Sequence, residues 1–209
     1  VSGDHDNKKN FSATEMKAPY DEKDLSFYAR FSEGLPGRAL ELAQGGWFRE
    51  LRSGTAEIFF NLDKSSELDL FTAGSAFFKE YKDQADTAFN IINSLIRDEL
   101  CILWGAEDKI VNFDLQDRLR AAYQKKLTAL SGCKESGEKN TGFIRWIDDE
   151  AREGFSAEEA DLQIRLTHAA EVVEDSREAL RRNVNFELII TRLLLQLKYV
   201  ATGEELIES

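Results

Sequence analysis

Only two prolines, Pro19 and Pro36, occur in the 209 residues, so everything after Pro36 is proline-free. Proline inside a helix removes a backbone donor and collides with the preceding turn. A chain that avoids it and is rich in Leu, Ala, Glu, Lys and Arg is therefore free to run as helices. Cysteine is equally scarce: Cys101 and Cys133 are too few and too far apart for a cysteine-rich zinc site, and no metal is expected. Cys101 sits in an apolar run and reads as a buried thiol, whereas Cys133 lies in a polar stretch and reads as exposed. Two unpaired thiols fit a reducing compartment. Positive charge is also in deficit, with a net charge of −12. Binding to duplex DNA requires cations that displace condensed counterions, so no direct DNA contact is expected; the acidity reads as solubility. No apolar run approaches a membrane span and no signal peptide opens the chain, so the expectation is a soluble, cytoplasmic protein.

Catalytic patterns are missing as well. The only histidines are His5, in a polar lead-in, and His168, which reads as a partly solvated helix-face residue rather than a general base. There is no G-x-x-x-x-G-K-[ST] phosphate loop, no H-E-x-x-H and no G-x-S-x-G elbow. The Glu-x-x-His pairs of di-iron bundles are absent too. The acidic run Asp148-Asp149-Glu150 reads as a solvated face, because adjacent helical residues point in different directions. No catalytic residue and no cofactor is assigned.

What is present is helical periodicity. After a polar lead-in over residues 1–20, with a weak capping signal at Ser12 and Glu15, a short helix is expected from Asp21, with Leu25, Tyr28, Ala29 and Phe31 on its apolar side. It stops at Gly34, and Pro36 opens the next helix, which ends near Gly45-Gly46. That double glycine is the expected domain boundary, dividing 1–46 from 47–209. Beyond it the spacing predicts helices over roughly 47–62 (weakened by Gly54), 67–82 and 84–104, and one following Asn112. A polar loop over 131–141 and a shorter helix over 143–152 come next. Ser156-x-x-Glu159 is a capping box for a helix reaching about Asn183, and a last helix covers about 185–201. No strand and no repeat is found. The expected fold class is all-α: a small helical unit followed by a bundle of about five to seven helices.

Two segments stand out. In Tyr28-Ala-Arg-Phe-Ser-Glu-Gly-Leu-Pro-Gly-Arg-Ala-Leu-Glu-Leu42 a helix stops at glycine and restarts with Arg38 in its opening turn. Such an arginine can reach an anion with help from the helix dipole, although spacing alone favours a surface arginine beside a well-made turn. In the last helix Phe186, Ile189, Ile190, Leu193, Leu197 and Val200 form one apolar face. Leu188, Arg192, Leu195 and Tyr199 lie on a different side, and Leu194 lies beside Glu187 and Lys198. A helix apolar on more than one side is either buried deep in its own bundle or shared with another chain, and pattern alone leaves both open.

Together these segments resemble the delta prime clamp-loader subunits of bacterial DNA polymerase III. Ala29-Arg-Phe-Ser-Glu-Gly-Leu-Pro-Gly-Arg-Ala-Leu40 is similar to the lid-domain run of that family. Asn183-Val-Asn-Phe-Glu-Leu-Ile-Ile-Thr-Arg-Leu-Leu-Leu-Gln-Leu197 is similar to the signature of its last helix. Ile96-Arg-Asp-Glu-Leu100 and Asn112-Phe-Asp are compatible in order and spacing, so the resemblance covers about residues 21–200. The resemblance implies that 1–46 is the end of a helical lid and 47–209 a collar bundle, with the ATPase-like domain preceding this chain. It implies assembly with the delta and gamma or tau subunits through the collar, in a machine that loads the sliding clamp, without catalysis by this part. Arg38 falls at the sensor-2 position, which contacts nucleotide in ATP-binding relatives; the nucleotide site of delta prime is normally defective, so a structural role is expected. Leu188, Arg192, Leu195 and Tyr199 are assigned to the intersubunit contact. The lead-in 1–20 and the length of loop 131–141 depart from the family. The alternatives are the related gamma or tau carboxy-terminal region, an ATPase or nucleotidyltransferase domain proper, and an unrelated helical scaffold.

Overall fold

The computed structural model describes residues 22–133 and 154–203. Among these every regular element is helical, with no strand. The elements are α1 (Glu22–Phe31), α2 (Pro36–Gln44), α3 (Gly46–Asn61) and α4 (Glu67–Asp69). A π turn (Leu70–Gly74) then leads into α5 (Ser75–Glu80), followed by α6 (Ala85–Leu103), α7 (Gln116–Cys133), α8 (Ala157–Arg181) and α9 (Phe186–Thr202). The expected polar loop therefore begins later than its composition indicates, since α7 runs on through Cys133. The rest of that loop, the acidic run Asp148-Asp149-Glu150, the helix expected over 143–152, and the lead-in with His5, Ser12 and Glu15 lie outside the described residues. No helix among the described residues is long and apolar enough to cross a membrane.

Local chemistry sets the helix ends. Past α1, Glu33 and Gly34 both adopt positive φ, 54° and 77°, and Pro36 opens α2 where its missing N–H leaves nothing unpaired. Gly45 is extended, closing α2 and opening α3 with no linker between them. Ser156 and Glu159 form the predicted reciprocal cap, each side chain accepting from the other's backbone N–H. A second such cap, Ser66 with Asp69, opens α4. Asn185 caps α9 by accepting from the N–H groups of Glu187 and Leu188, and Gly203 ends that helix in the left-handed region.

The core is built around α6, whose Phe89, Ile91, Ile92, Leu95 and Ile96 are fully enclosed between α3, α7 and α8. Burying a side chain of this size contributes about 1.5–3 kcal/mol. Helix α8 packs against α6, α7 and α9, while α9 lies on α8, α5 and the π turn. The amino-terminal pair joins through aromatics: Phe27, Tyr28 and Phe31 of α1 all meet the ring of Phe48 in α3. The hydrophobic core thus runs unbroken from Phe27 to Leu197 across Gly45-Gly46. The apolar side of α1 differs from the periodicity reading. Phe27 is buried beside Tyr28 and Phe31, while Leu25 and Ala29 are exposed. The reason is that Phe48 captures the aromatic side, leaving Leu25 and Ala29 to line an open groove of about 370 Å³ against α2.

Close helix approach explains two glycines. A Cβ on Gly54 would lie 2.3 Å from the Phe77 ring, and one on Gly74 would lie 3.0 Å from Leu194 Cδ1. The missing side chains are what let α5 sit on α3 and α9 sit on the π turn.

Candidate partner-binding surface

Helix α9 buries Phe186, Ile189, Ile190, Leu193, Leu194 and Leu197. Five of these form the face read from periodicity. Val200 is only half-buried, and Leu194, which the helical wheel places between Glu187 and Lys198, is enclosed because it drops into the space left by Gly74.

The other side carries the residues assigned to a partner. Leu188, Arg192, Leu195 and Tyr199 follow one another at intervals of four, three and four, which aligns them as a stripe. Leu188 is 62% exposed and Arg192 is exposed, whereas Leu195 is half-buried against the core and Tyr199 is half-buried. The Tyr199 hydroxyl donates to Glu67 Oε1 at 3.3 Å, and Lys79 pairs with Glu187. These two ties join opposite ends of the helices, so α9 runs antiparallel to the segment α4–π turn–α5.

The π turn adds to this surface. Ser75 N donates to Leu70 O, five residues back, and both residues are buried. The wider turn holds them on one face, with Phe71 outside at 57% exposed; Leu68, in α4 just before it, is 69% exposed. Regular 3.6-residue periodicity over 67–82 gives no sign of the inserted residue, so neither was found from sequence.

Arg38 lies in the first turn of α2, half-buried, and makes no hydrogen bond or ion pair with any other described residue. The structure does not bring it to the α9 stripe: α2 packs on α1 and α3. His168 is a partly exposed helix-face residue of α8, 3.6 Å from Glu171. No group of three or more His, Cys, Asp or Glu side chains among the described residues could hold a metal ion.

The buried ionisable groups are tied up in packing. Asp98 accepts from Val111 N at 2.9 Å, Asn112 N at 2.7 Å and Asn112 Nδ2 at 2.8 Å, fixing the connection between α6 and α7. Burial pushes its carboxyl above the ordinary range, against the lowering effect of those donors. Arg52 of α3 continues the network to Asn112 Oδ1 at 2.9 Å and to both carboxylate oxygens of Asp114, with its guanidinium 3.7 Å over the Phe27 ring. Glu99 is wholly enclosed and bonded to Lys126, which also faces the Phe59 ring. Burial raises the Glu99 carboxyl and Lys126 opposes the shift. The Cys101 thiol is buried and pushed up by desolvation, which makes it a poor nucleophile. Asp98, Arg52, Glu99 and Lys126 are thus tied into contacts between elements.

No protein-family model, no curated protein and no solved structure matches the chain.

Proposed function

We propose that this chain is a non-catalytic assembly module, the collar bundle with the end of the lid of a delta prime-type clamp-loader subunit. The observation that carries the reading is the two-sided character of α9. Its inner face is core, yet the same helix exposes Leu188 and Arg192 on a second stripe. Leu188 and the half-buried Leu195 and Tyr199 lie on one side of the most apolar helix, and Phe71 is exposed on the segment packed beside it, so the apolar surface extends over neighbouring elements, and an extended surface of this kind supports a contact with another chain. The motif resemblance of residues 183–197 supports the delta and gamma or tau subunits of the same loader as that chain. In this reading ATP is bound and hydrolysed elsewhere in the complex, and Arg38 is structural.

The test is co-purification with the delta and gamma or tau subunits, paired with melting curves. Leu188→Asp is expected to keep the melting temperature and lose the partners, because a charge enters a contact that binding must desolvate. Leu193→Ala should instead cost about 2–5 kcal/mol of stability, the usual range for a large-to-small change in a core. A large loss of melting temperature in Leu188→Asp, or unaltered co-purification, would refute the assignment.

A further inference from the structure

We infer that the partner surface is composite, formed by the α9 stripe together with Phe71 of the π turn and Leu68 of α4 just before it, and that it receives an amphipathic helix of another protein whose apolar face carries a carboxylate for Arg192. The inference rests on the assembly reading above and adds to it the extent of the surface and the chemistry of its occupant.

The geometry joins the two helices into one surface. Glu67 and Phe71 are four apart, so Phe71 stands one turn along the side of its helix that meets α9 at Tyr199. Leu195 is four residues before Tyr199, one turn along α9 in the same direction, because the helices are antiparallel. Phe71 and Leu195 therefore sit level with each other, and Arg192 and Leu188 continue the strip towards the Lys79–Glu187 tie. Leu68, Phe71 and Leu188 are three of the most exposed large apolar side chains among the described residues; along the antiparallel pair Phe71 and Leu188 fall on either side of the level of Arg192, and Leu68 extends the strip at the Tyr199 end.

Charge selects the occupant. Arg192 is an exposed cation in a chain of net charge −12, and it makes no hydrogen bond or ion pair with any described residue. Arginine in an apolar setting is matched best by a carboxylate, which it can grip with two parallel bonds. A second copy of this chain is a poor occupant. Two α9 stripes packed antiparallel about their midpoint would set Arg192 of one copy about 4.5 Å along the axis from Arg192 of the other, by the helical rise. With the two guanidinium groups nearly level across the seam, like charges oppose the contact. An unrelated helix with leucine-type anchors and one Asp or Glu among them meets every exposed group.

The test uses two synthetic helical peptides with the same leucine stripe, one carrying Glu and the other Lys at its centre. Binding to the full chain is followed by calorimetry, alongside capture of purified gamma or tau subunit. The Glu peptide should bind about tenfold or more tighter than the Lys peptide. Arg192→Glu should invert that preference, and Phe71→Asp should weaken both peptides with an unchanged melting temperature. Absence of peptide binding, equal binding of the two, or a preference untouched by Arg192→Glu overturns the inference. So does a concentration-dependent dimer that Arg192→Glu abolishes. Peptide discrimination without capture of the clamp-loader subunit upholds this surface and refutes the clamp-loader identity. Capture that survives Phe71→Asp and Arg192→Glu but not Leu188→Asp does the reverse.

Discussion

Replacing Lys126 with methionine isolates the energetic role of the one enclosed ion pair among the described residues. Glu99 is 0% exposed and Lys126 nearly so, and the lysine is the only cation bonded to that carboxylate. Methionine matches the lysine stem in length and leaves the volume between α6, α7 and Phe59 filled, so the change removes charge more than packing. Breaking a buried pair on one side costs about 3–5 kcal/mol, because the surviving charge has neither water nor partner. For a chain of this size each kcal/mol moves the melting temperature by about 2–4 °C, so a drop of about 6–20 °C is expected at neutral pH. The loss should shrink on acidification. Without Lys126 the folded-state pKa of Glu99 rises further, so the native variant takes up its proton at a higher pH than the unfolded chain and recovers relative to wild type as pH falls through that window. Removing both partners in Glu99→Leu/Lys126→Met should restore most of the stability, since an apolar pair of similar volume replaces an ion pair roughly neutrally. Differential scanning calorimetry of the two variants across pH decides the matter. A single variant that melts with wild type, or a double variant no better than the single one, refutes the account.

Other perturbations probe different parts of the fold. Gly54→Ala, which in a free helix gains about 1 kcal/mol, should instead lower the melting temperature, because the new methyl meets the Phe77 ring. Asp98→Asn should weaken the α6–α7 connection at neutral pH, because an amide cannot accept from three donors as a carboxylate does. The gap should also depend on pH. The folded-state pKa of Asp98 is raised, so wild type loses stability relative to the variant as pH climbs from 3.8 through the raised value; denaturant titrations at several pH values read this. Gly74→Val should displace Leu194, lowering stability by about 1–3 kcal/mol as overpacking does, and a melting curve is the check.

Helix positions were legible from sequence because their signals are local. Pro36, Gly34, Gly45 and the Ser156–Glu159 box each act within a few residues, and the structure ends or starts helices at those points. The inner face of α9 was legible for the same reason, being set by spacing alone. What escaped depends on neighbours far along the chain. Leu194 is core only because Gly74 lies opposite, and Leu25 is outside only because Phe48 claims the other side of α1. Phe71 is displayed by a one-residue insertion that leaves no mark on composition. The polar tie of Asp98 to Asn112 is an intermediate case. Both residues stood in segments that resembled the family, yet nothing in either segment indicated that the carboxylate turns inward to hold the next connection.

The antiparallel seating of α9 has a consequence for how the protein is made. The contacts that hold this helix span long stretches of chain: 108 residues from Lys79 to Glu187 and 132 from Glu67 to Tyr199. By contrast, the Asp98 tie closes over only 13 and 14 residues and can form as soon as α6 and its connection have left the ribosome. The side of α5 and the π turn that receives α9 is therefore left uncovered through most of translation. Because α9 carries most of the proposed docking strip, that strip does not exist on a nascent chain. Recruitment of a partner is thereby deferred until residues 186–202 have emerged and folded back.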